Sequence, residues 1–161
     1  ERAAMEATTD RTGRHHRSGR VSWFVAGGYL YCELPSGRRL AYPEPQVKEV
    51  TTSWGAQKMA LTFTGINSYT RKCERRSAYG GFLVENYTQA VARDIMAHGI
   101  TACDNSGIYD VVLSVHDEII SESEAHEGSL DEYVRLLTTL PAWAEGCPIG
   151  AEGWVGTRYR K

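Results

Sequence analysis

The first half of the chain contains runs of aromatic and β-branched residues bounded by turn residues, which is typical of β-strands. Four strands follow from this pattern: Tyr29–Leu34, Arg39–Tyr42, Val47–Thr52 and Lys58–Thr64. The first two are predicted to pair as a hairpin, because Pro35 suits the second position of a tight turn and Gly37 its left-handed position. The basic segment "RKCERR", residues 71–76, is predicted to be a solvated surface within a mobile loop at 71–78.

Helical spacing begins after the flexible Gly80-Gly81 pair and predicts a helix over residues 84–98. Two opposite faces follow from this spacing: an apolar one of Tyr87, Val91 and Ile95, and a polar one of Asn86, Gln89 and Arg93. The simplest interpretation of the polar face is a solvated surface. Asn, Gln and Arg are also hydrogen-bond donors, which suit the acceptors of the DNA minor groove, so a nucleic-acid contact is the second interpretation.

The two ends of the chain carry less regular patterns. Residues 1–20 are predicted to be the end of a helix, "ERAAMEATT", followed by a basic loop, "DRTGRHHRSGR", which is either solvated or in contact with phosphates. A last helix over residues 129–140 begins with a capping box at Ser129–Glu132 and ends before Pro141. The tail "AEGWVGTRYRK" is predicted to be a final strand or an extended arm.

The segment "YDVVLSVHDEIISES", residues 109–123, predicts a buried hairpin interrupted once by ionisable groups. His116 and Asp117 fall at its turn, and Glu118 follows. A solvated turn is the simplest interpretation of such carboxylates. Two adjacent carboxylates held between apolar strands also suit Mg²⁺, which takes hard oxygen ligands while gripping a substrate phosphate. Together with the polar helix face, they indicate a metal-dependent reaction on a nucleic acid.

The amino-acid composition indicates the general class of protein but does not indicate its function. The chain has 161 residues, 42% hydrophobic and 24% charged, which is typical of a soluble globular domain. A net charge of −2 argues neither for nor against a nucleic-acid partner. No apolar run approaches the roughly 18–20 residues of a membrane span. The scattered cysteines, Cys32, Cys73, Cys103 and Cys147, are interpreted as reduced thiols of an intracellular protein rather than disulfides or zinc ligands.

Four segments together resemble the C-terminal palm part of a family A (DNA polymerase I-like) DNA polymerase of the phage type. They are "LPSGRRLAY" at 34–42, "YGGFLVENYTQAVARDI" at 79–95, "VHDE" at 115–118 and the ending "LPAWAEGCPIGAEGWVGTRYRK". "VHDE" is similar to motif C of that family, and N-x-x-Q-A-x-A-R-D to the helix that precedes it. The resemblance covers nearly the whole chain. It implies an α+β fold, an antiparallel sheet with helices packed on one face, in which residues 21–161 form the palm-type catalytic segment.

The resemblance also implies roles for individual residues. Asp117 is similar to the aspartate that binds the two Mg²⁺ ions of nucleotidyl transfer, and Glu118 to the neighbouring glutamate near the metals. His116 corresponds to the histidine beside the primer terminus. Gln89 and Asn86 correspond to residues that touch the primer-template minor groove, and Arg93 lies in the same pattern. The implied ligands are primer-template DNA and a deoxynucleoside triphosphate, in the cytoplasm of a bacterial or phage-infected cell.

The departures from the family are equally specific. The motif A pattern D-Y-S-x-[IL]-E is missing, and so is the fingers pattern that grips the incoming triphosphate. We therefore expect the chain to be inactive alone and to be completed by a partner chain carrying motif A and the fingers, with an exposed apolar surface where that partner would dock. The opening "ERAAMEA" suggests processing or partial coverage of a longer chain. The alternative is a non-catalytic DNA-binding accessory remnant of a palm, and a free-standing nuclease is least favoured.

Overall fold

The computed structural model describes residues 1–51 and 54–159. The helices are α1 (Arg2–Asp10), α2 (Gly80–Asn105) and α3 (Leu130–Thr138), with a short 3₁₀ helix at Ala142–Ala144. The strands are β1 (His16–Ser18), β2 (Val21–Ala26), β3 (Tyr29–Glu33), β4 (Arg39–Pro43), β5 (Gln46–Thr51), β6 (Gln57–Ile66), β7 (Cys73–Ala78), β8 (Asp110–Val115) and β9 (Glu118–Glu122). The chain divides into two compact units, Glu1–Val91 and Ala92–Lys161.

The first unit contains a four-stranded antiparallel sheet in the order β1-β2-β3-β4. The predicted hairpin is confirmed, since β3 pairs with β4 from Tyr29↔Pro43 to Glu33↔Arg39. The β2–β3 hairpin closes through Gly27 and Gly28, with φ of 55° and 82°. A two-residue hairpin turn of type I′ needs positive φ at both central positions, which glycine adopts without a steric penalty.

The core of the first unit lies between α1, the two sheets and the start of α2. Its largest fully buried side chains include Trp23, Leu30, Leu61 and Leu83. Strand β3 buries every second residue, Leu30 and Cys32, whereas β2 buries Val21 and the adjacent pair Trp23 and Phe24. Buried alanines of α1 let that helix approach the sheet closely. Burial also raises the pKa of the Cys32 thiol to about 12, because the thiolate would lie in an apolar environment.

The three-stranded sheet has the order β5-β6-β7. Strands β5 and β6 confirm the third and fourth predicted strands, although Thr52 lies outside the described residues. The prediction of a loop at 71–78 is wrong, because β7 pairs with β6 from Cys73 to Ala78. The charged residues of this segment do not show the sequence pattern of a strand. Its last residue, Ala78, is nevertheless buried, at 0% exposed.

The basic loop predicted within residues 11–20 is also partly wrong, because β1 lies inside it and pairs with β2. The His16 side chain helps to hold β1 in place. One of its ring nitrogens lies 3.0 Å from an Asp10 carboxylate oxygen, and the other lies 3.5 Å from a Glu6 carboxylate oxygen. The N-terminal helix is confirmed as α1.

The second unit contains the C-terminal part of α2, the β8–β9 hairpin and α3. The capping box is confirmed: the Ser129 side chain accepts a hydrogen bond from the Glu132 backbone N–H at 3.2 Å. Helix α2 contains the predicted 84–98 helix and extends it in both directions. No strand forms in the tail as far as it is described, to residue 159, so the final-strand alternative is wrong there.

The α+β class is confirmed. The described strands pair antiparallel, in three sheets of four, three and two strands. All four cysteines are free thiols. In the described ranges, no helix is both long and apolar enough to cross a membrane.

Candidate catalytic turn and nucleic-acid interface

The β8–β9 hairpin turns through two residues, His116 and Asp117, because Val115 pairs directly with Glu118. His116 has a φ of 54°, in the left-handed region that disfavours residues with a Cβ. The first position of such a tight hairpin turn requires a positive φ, which Asn or Gly normally supplies. A histidine there costs about 1–2 kcal/mol of conformational energy. Strain of this kind often accompanies functional sites, where a side chain must be held at one place.

Asp117 and Glu118 place two carboxylates at this turn, and both residues are exposed. Among the described residues, the Asp117 carboxylate has no hydrogen bond and no ion pair. Glu118 differs, because its Oε2 accepts a hydrogen bond from the Tyr159 hydroxyl at 3.0 Å. That hydrogen bond raises the pKa of Tyr159, since it stabilises the protonated phenol beside an anion. The turn therefore offers one free carboxylate and one that is oriented by a neighbour.

The donor atoms suit Mg²⁺ in kind, because carboxylate oxygens are the hard ligands it prefers. Two carboxylates are too few ligands for two metal ions. In the part of the chain that the structure describes, no group of three or more His, Cys, Asp or Glu side chains is placed to hold a metal. A metal site at this turn would therefore need protein ligands in addition to Asp117 and Glu118.

The prediction that this hairpin is buried is wrong. Val112 and Leu113 of β8 are 53% and 48% exposed. The register shifts between Val111 and Leu113, which is an irregularity in the pairing with β9. On β9, Ser121 is hydrogen-bonded to the Tyr133 hydroxyl of α3 at 2.8 Å, so that strand is the one held by the helix. Strand β8 consequently presents the apolar side chains of Val112 and Leu113 to solvent.

The three residues of the polar face of α2 differ in how exposed they are. Asn86 is half-buried and donates a hydrogen bond to the Tyr42 hydroxyl at 3.3 Å. Gln89 is exposed and donates to Glu85 one turn earlier, also at 3.3 Å. Arg93 is exposed as well. Gln89 and Arg93 are therefore accessible, whereas Asn86 is engaged within the first unit.

This division follows from where the core-facing stripe lies on the helix. Leu83 and Ala90 are buried, at 1% and 8% exposed, and Tyr87 and Val91 pack against the same cluster. Asn86 lies three residues after Leu83 and four before Ala90, so it sits beside that stripe rather than opposite it. Burial raises the pKa of its partner Tyr42, and the hydrogen bond from Asn86 partly opposes that rise.

Two supporting residues are missed by the sequence analysis. Tyr159 contacts Glu118 although 41 residues separate them, and no local pattern could reveal this. Tyr109, immediately before β8, is buried and accepts a hydrogen bond from the Ser129 backbone N–H at 2.9 Å.

Over its whole length, the chain is 37% identical to part of a protein named DNA polymerase from Bacillus phage SP02. It is similar to a segment of a phage DNA polymerase. The chain spans 24% of the length of that relative. No family model matches the chain, and no solved structure matches it. The likeness supports the polymerase interpretation of the sequence and does not identify which subdomain the segment represents.

Proposed function

We propose that the chain is a C-terminal palm segment of a family A DNA-directed DNA polymerase, and that it contributes Asp117 to the metal site of nucleotidyl transfer. The observation that carries this proposal is the tight turn, in which His116 is strained and the exposed Asp117 carboxylate has no partner among residues 1–51 and 54–159. It occurs in a chain whose full length is 37% identical to part of a phage DNA polymerase. Exposure matters here, because a metal ion or a substrate must be able to reach the carboxylate oxygens.

The residues of the turn have separate roles in this proposal. Asp117 and Glu118 would bind Mg²⁺, and Tyr159 orients Glu118 through its hydrogen bond. When bound, the metal supplies the positive charge that lowers the pKa of the primer 3′-hydroxyl and stabilises the triphosphate during in-line displacement. His116 is proposed to lie beside the primer terminus, at the first position of the turn.

The exposed part of the α2 polar face is proposed to contact the primer-template. Minor-groove acceptors are similar in all four base pairs, so a donor such as Gln89 can test base-pair geometry without reading sequence. Arg93 adds a positive charge suited to the DNA backbone. Asn86 would reach DNA only with the amide hydrogen that its bond to Tyr42 leaves available.

The rest of the site is proposed to come from a partner chain that carries motif A and the fingers. Two carboxylates at one turn cannot hold two Mg²⁺ ions in a clamp, which needs ligands converging from several sides. Mixing the purified chain with the remaining parts of such a polymerase should restore primer extension. No gain in activity over the separate parts would contradict the partner-chain arrangement.

The catalytic role is tested with Asp117→Ala in the assembled enzyme. We expect primer extension to fall by at least about 100-fold, the scale of removing one preorganised electrostatic interaction with the transition state. Affinity for primer-template, measured by fluorescence anisotropy, should change little. Asp110→Ala is the matched control, because it removes an exposed carboxylate from the other end of the same hairpin.

The second candidate function is a non-catalytic accessory module that retains the DNA-binding surface of a palm. The observation that favours it is the incomplete set of metal ligands among the described residues. In that case Asp117→Ala would leave extension unchanged, while Gln89→Ala would still weaken DNA binding.

A further inference from the structure

The loop between β6 and β7 presents the most exposed large aromatic side chain of the described residues. Tyr69, in the middle of this loop, is 95% exposed. Arg71 and Lys72 follow within three positions and are also exposed. The loop, residues 67–72, belongs to the first unit and contains none of the residues assigned to catalysis above.

The loop has a defined conformation rather than an arbitrary one. Asn67 organises it, because its side-chain Oδ1 accepts a hydrogen bond from the Tyr69 backbone N–H at 2.9 Å. The Asn67 carbonyl accepts another from the Arg71 N–H at 2.9 Å, and its own N–H donates to the Lys72 carbonyl at 2.9 Å. Arg71 has a φ of 57°, which reverses the chain after the aromatic residue. The Tyr69 ring is thus held outward by the backbone beneath it.

The cations of this region fall into two groups. Arg75 is neutralised, since its guanidinium lies 3.5 Å from a Glu44 carboxylate oxygen. Arg76 donates to a backbone carbonyl at 3.3 Å and stacks over an aromatic ring. Arg71 and Lys72, in contrast, have no hydrogen bond or ion pair through their side chains within residues 1–51 and 54–159. Two positive charges that have no side-chain partner among the described residues therefore follow one almost fully exposed ring.

We propose that this loop binds single-stranded nucleic acid. Tyr69 would stack on an unpaired base, while Arg71 and Lys72 contact the phosphates on either side. Sequence-tolerant binding of single strands combines these two elements, an aromatic platform and a basic track along the backbone. The polar neighbours Ser68 and Thr70 supply little of the apolar area that a protein interface buries at its centre.

A base already paired and stacked in a duplex has no free face for this ring, so the loop should prefer single strands. This inference goes beyond the proposed function, because it needs neither Asp117 nor a metal. It holds or fails on binding alone.

The test measures affinity of the 161-residue chain for a fluorescein-labelled oligothymidylate by anisotropy. We expect Tyr69→Ala to weaken binding by about 5- to 150-fold, the range for removing the stacking of one base. Tyr69→Phe should bind like the natural sequence, since stacking needs the ring and not the hydroxyl. The Asp110→Ala variant should also bind normally, and because this assay measures no nucleotidyl transfer, its outcome is independent of the catalytic proposal.

The charged residues are tested through salt dependence. Arg71→Gln with Lys72→Gln should lower the slope of log affinity against log salt by about 1.4, or about 0.7 for each single-strand phosphate that is no longer neutralised. The matched control is Lys48→Gln with Lys58→Gln, which removes two exposed charges from β5 and β6. This control should leave both affinity and slope nearly unchanged.

Four results would overturn the inference: no binding of the single strand by the natural chain, no weakening of binding in Tyr69→Ala, an equal weakening in the Lys48/Lys58 control, or an equal weakening of affinity for a blunt duplex in Tyr69→Ala. The last would assign Tyr69 a role other than base stacking. Circular dichroism of each variant confirms that the fold is retained, as expected for exposed side chains.

Discussion

The contact between Gly128 and Tyr109 offers the sharpest test of how the candidate turn is supported. Gly128 has a φ of 73°, and a Cβ built there would lie 2.5 Å from the Tyr109 hydroxyl oxygen and 2.8 Å from two of its ring carbons. Tyr109 is 6% exposed. Its hydroxyl donates to the Ser129 carbonyl and accepts from the Ser129 N–H, both at 2.9 Å. Gly128→Ala must therefore displace the residue that holds the start of β8 against the N-terminus of α3.

A matched glycine separates the backbone cost from the clash. Gly107 has a similar φ of 69°, but a Cβ there meets no atom within 4 Å. Gly107→Ala should cost about 1–2 kcal/mol for a left-handed residue with a Cβ. Gly128→Ala adds about 1–3 kcal/mol for overpacking and about 1 kcal/mol for each Tyr109 hydrogen bond that is broken. If one of the two hydrogen bonds is broken, the difference between the two variants should be about 2–4 kcal/mol.

Equilibrium urea unfolding, followed by circular dichroism, measures both variants against the natural chain at equal slope. A double-mutant cycle tests the cause: in a Tyr109→Ala background, Gly128→Ala should cost no more than Gly107→Ala does. Equal destabilisation by the two glycine substitutions in the natural background would refute the packing argument, and so would a cycle with no coupling.

Two further predictions concern titratable groups of the first unit. At pH 8, iodoacetamide should modify exposed Cys73 and leave Cys32 unmodified until the protein unfolds. The reason is that a thiol with a pKa of about 12 is almost entirely protonated at pH 8. Equal labelling of the two cysteines, measured by peptide mass spectrometry, would contradict this prediction. The hydrogen bond from His16 lowers the pKa of Asp10 in the folded protein. The ionised carboxylate therefore stabilises the fold at any pH above the pKa that Asp10 has in the unfolded chain. This stabilisation is lost as the pH falls through the lowered pKa of the folded state. Asp10→Asn should therefore destabilise the protein at pH 6 and have little effect at pH 2, by urea midpoints; a cost that does not change with pH would argue against the pair.

Local patterns in the sequence determined the elements whose signals act within a few residues. The β3–β4 hairpin follows from aromatic and β-branched runs on both sides of a Pro and Gly turn, and the start of α3 follows from Ser129 and Glu132. The His116-Asp117 turn was located by the interruption of an apolar run. Each of these depends on backbone geometry that neighbouring residues specify, so no distant contact was needed to predict it.

Only the tertiary structure decided which sides of these elements are covered. Periodicity placed Asn86 and Gln89 on one polar face. In the structure, Asn86 is hydrogen-bonded to Tyr42, whereas Gln89 is exposed. Periodicity also predicted a buried β8, whose apolar side chains are instead open to solvent. Burial depends on partners that lie far away in the chain, such as Tyr159 for Glu118, 41 residues apart. A short sequence pattern carries no information about such partners, because their position is set by the packing of whole elements rather than by local backbone preference.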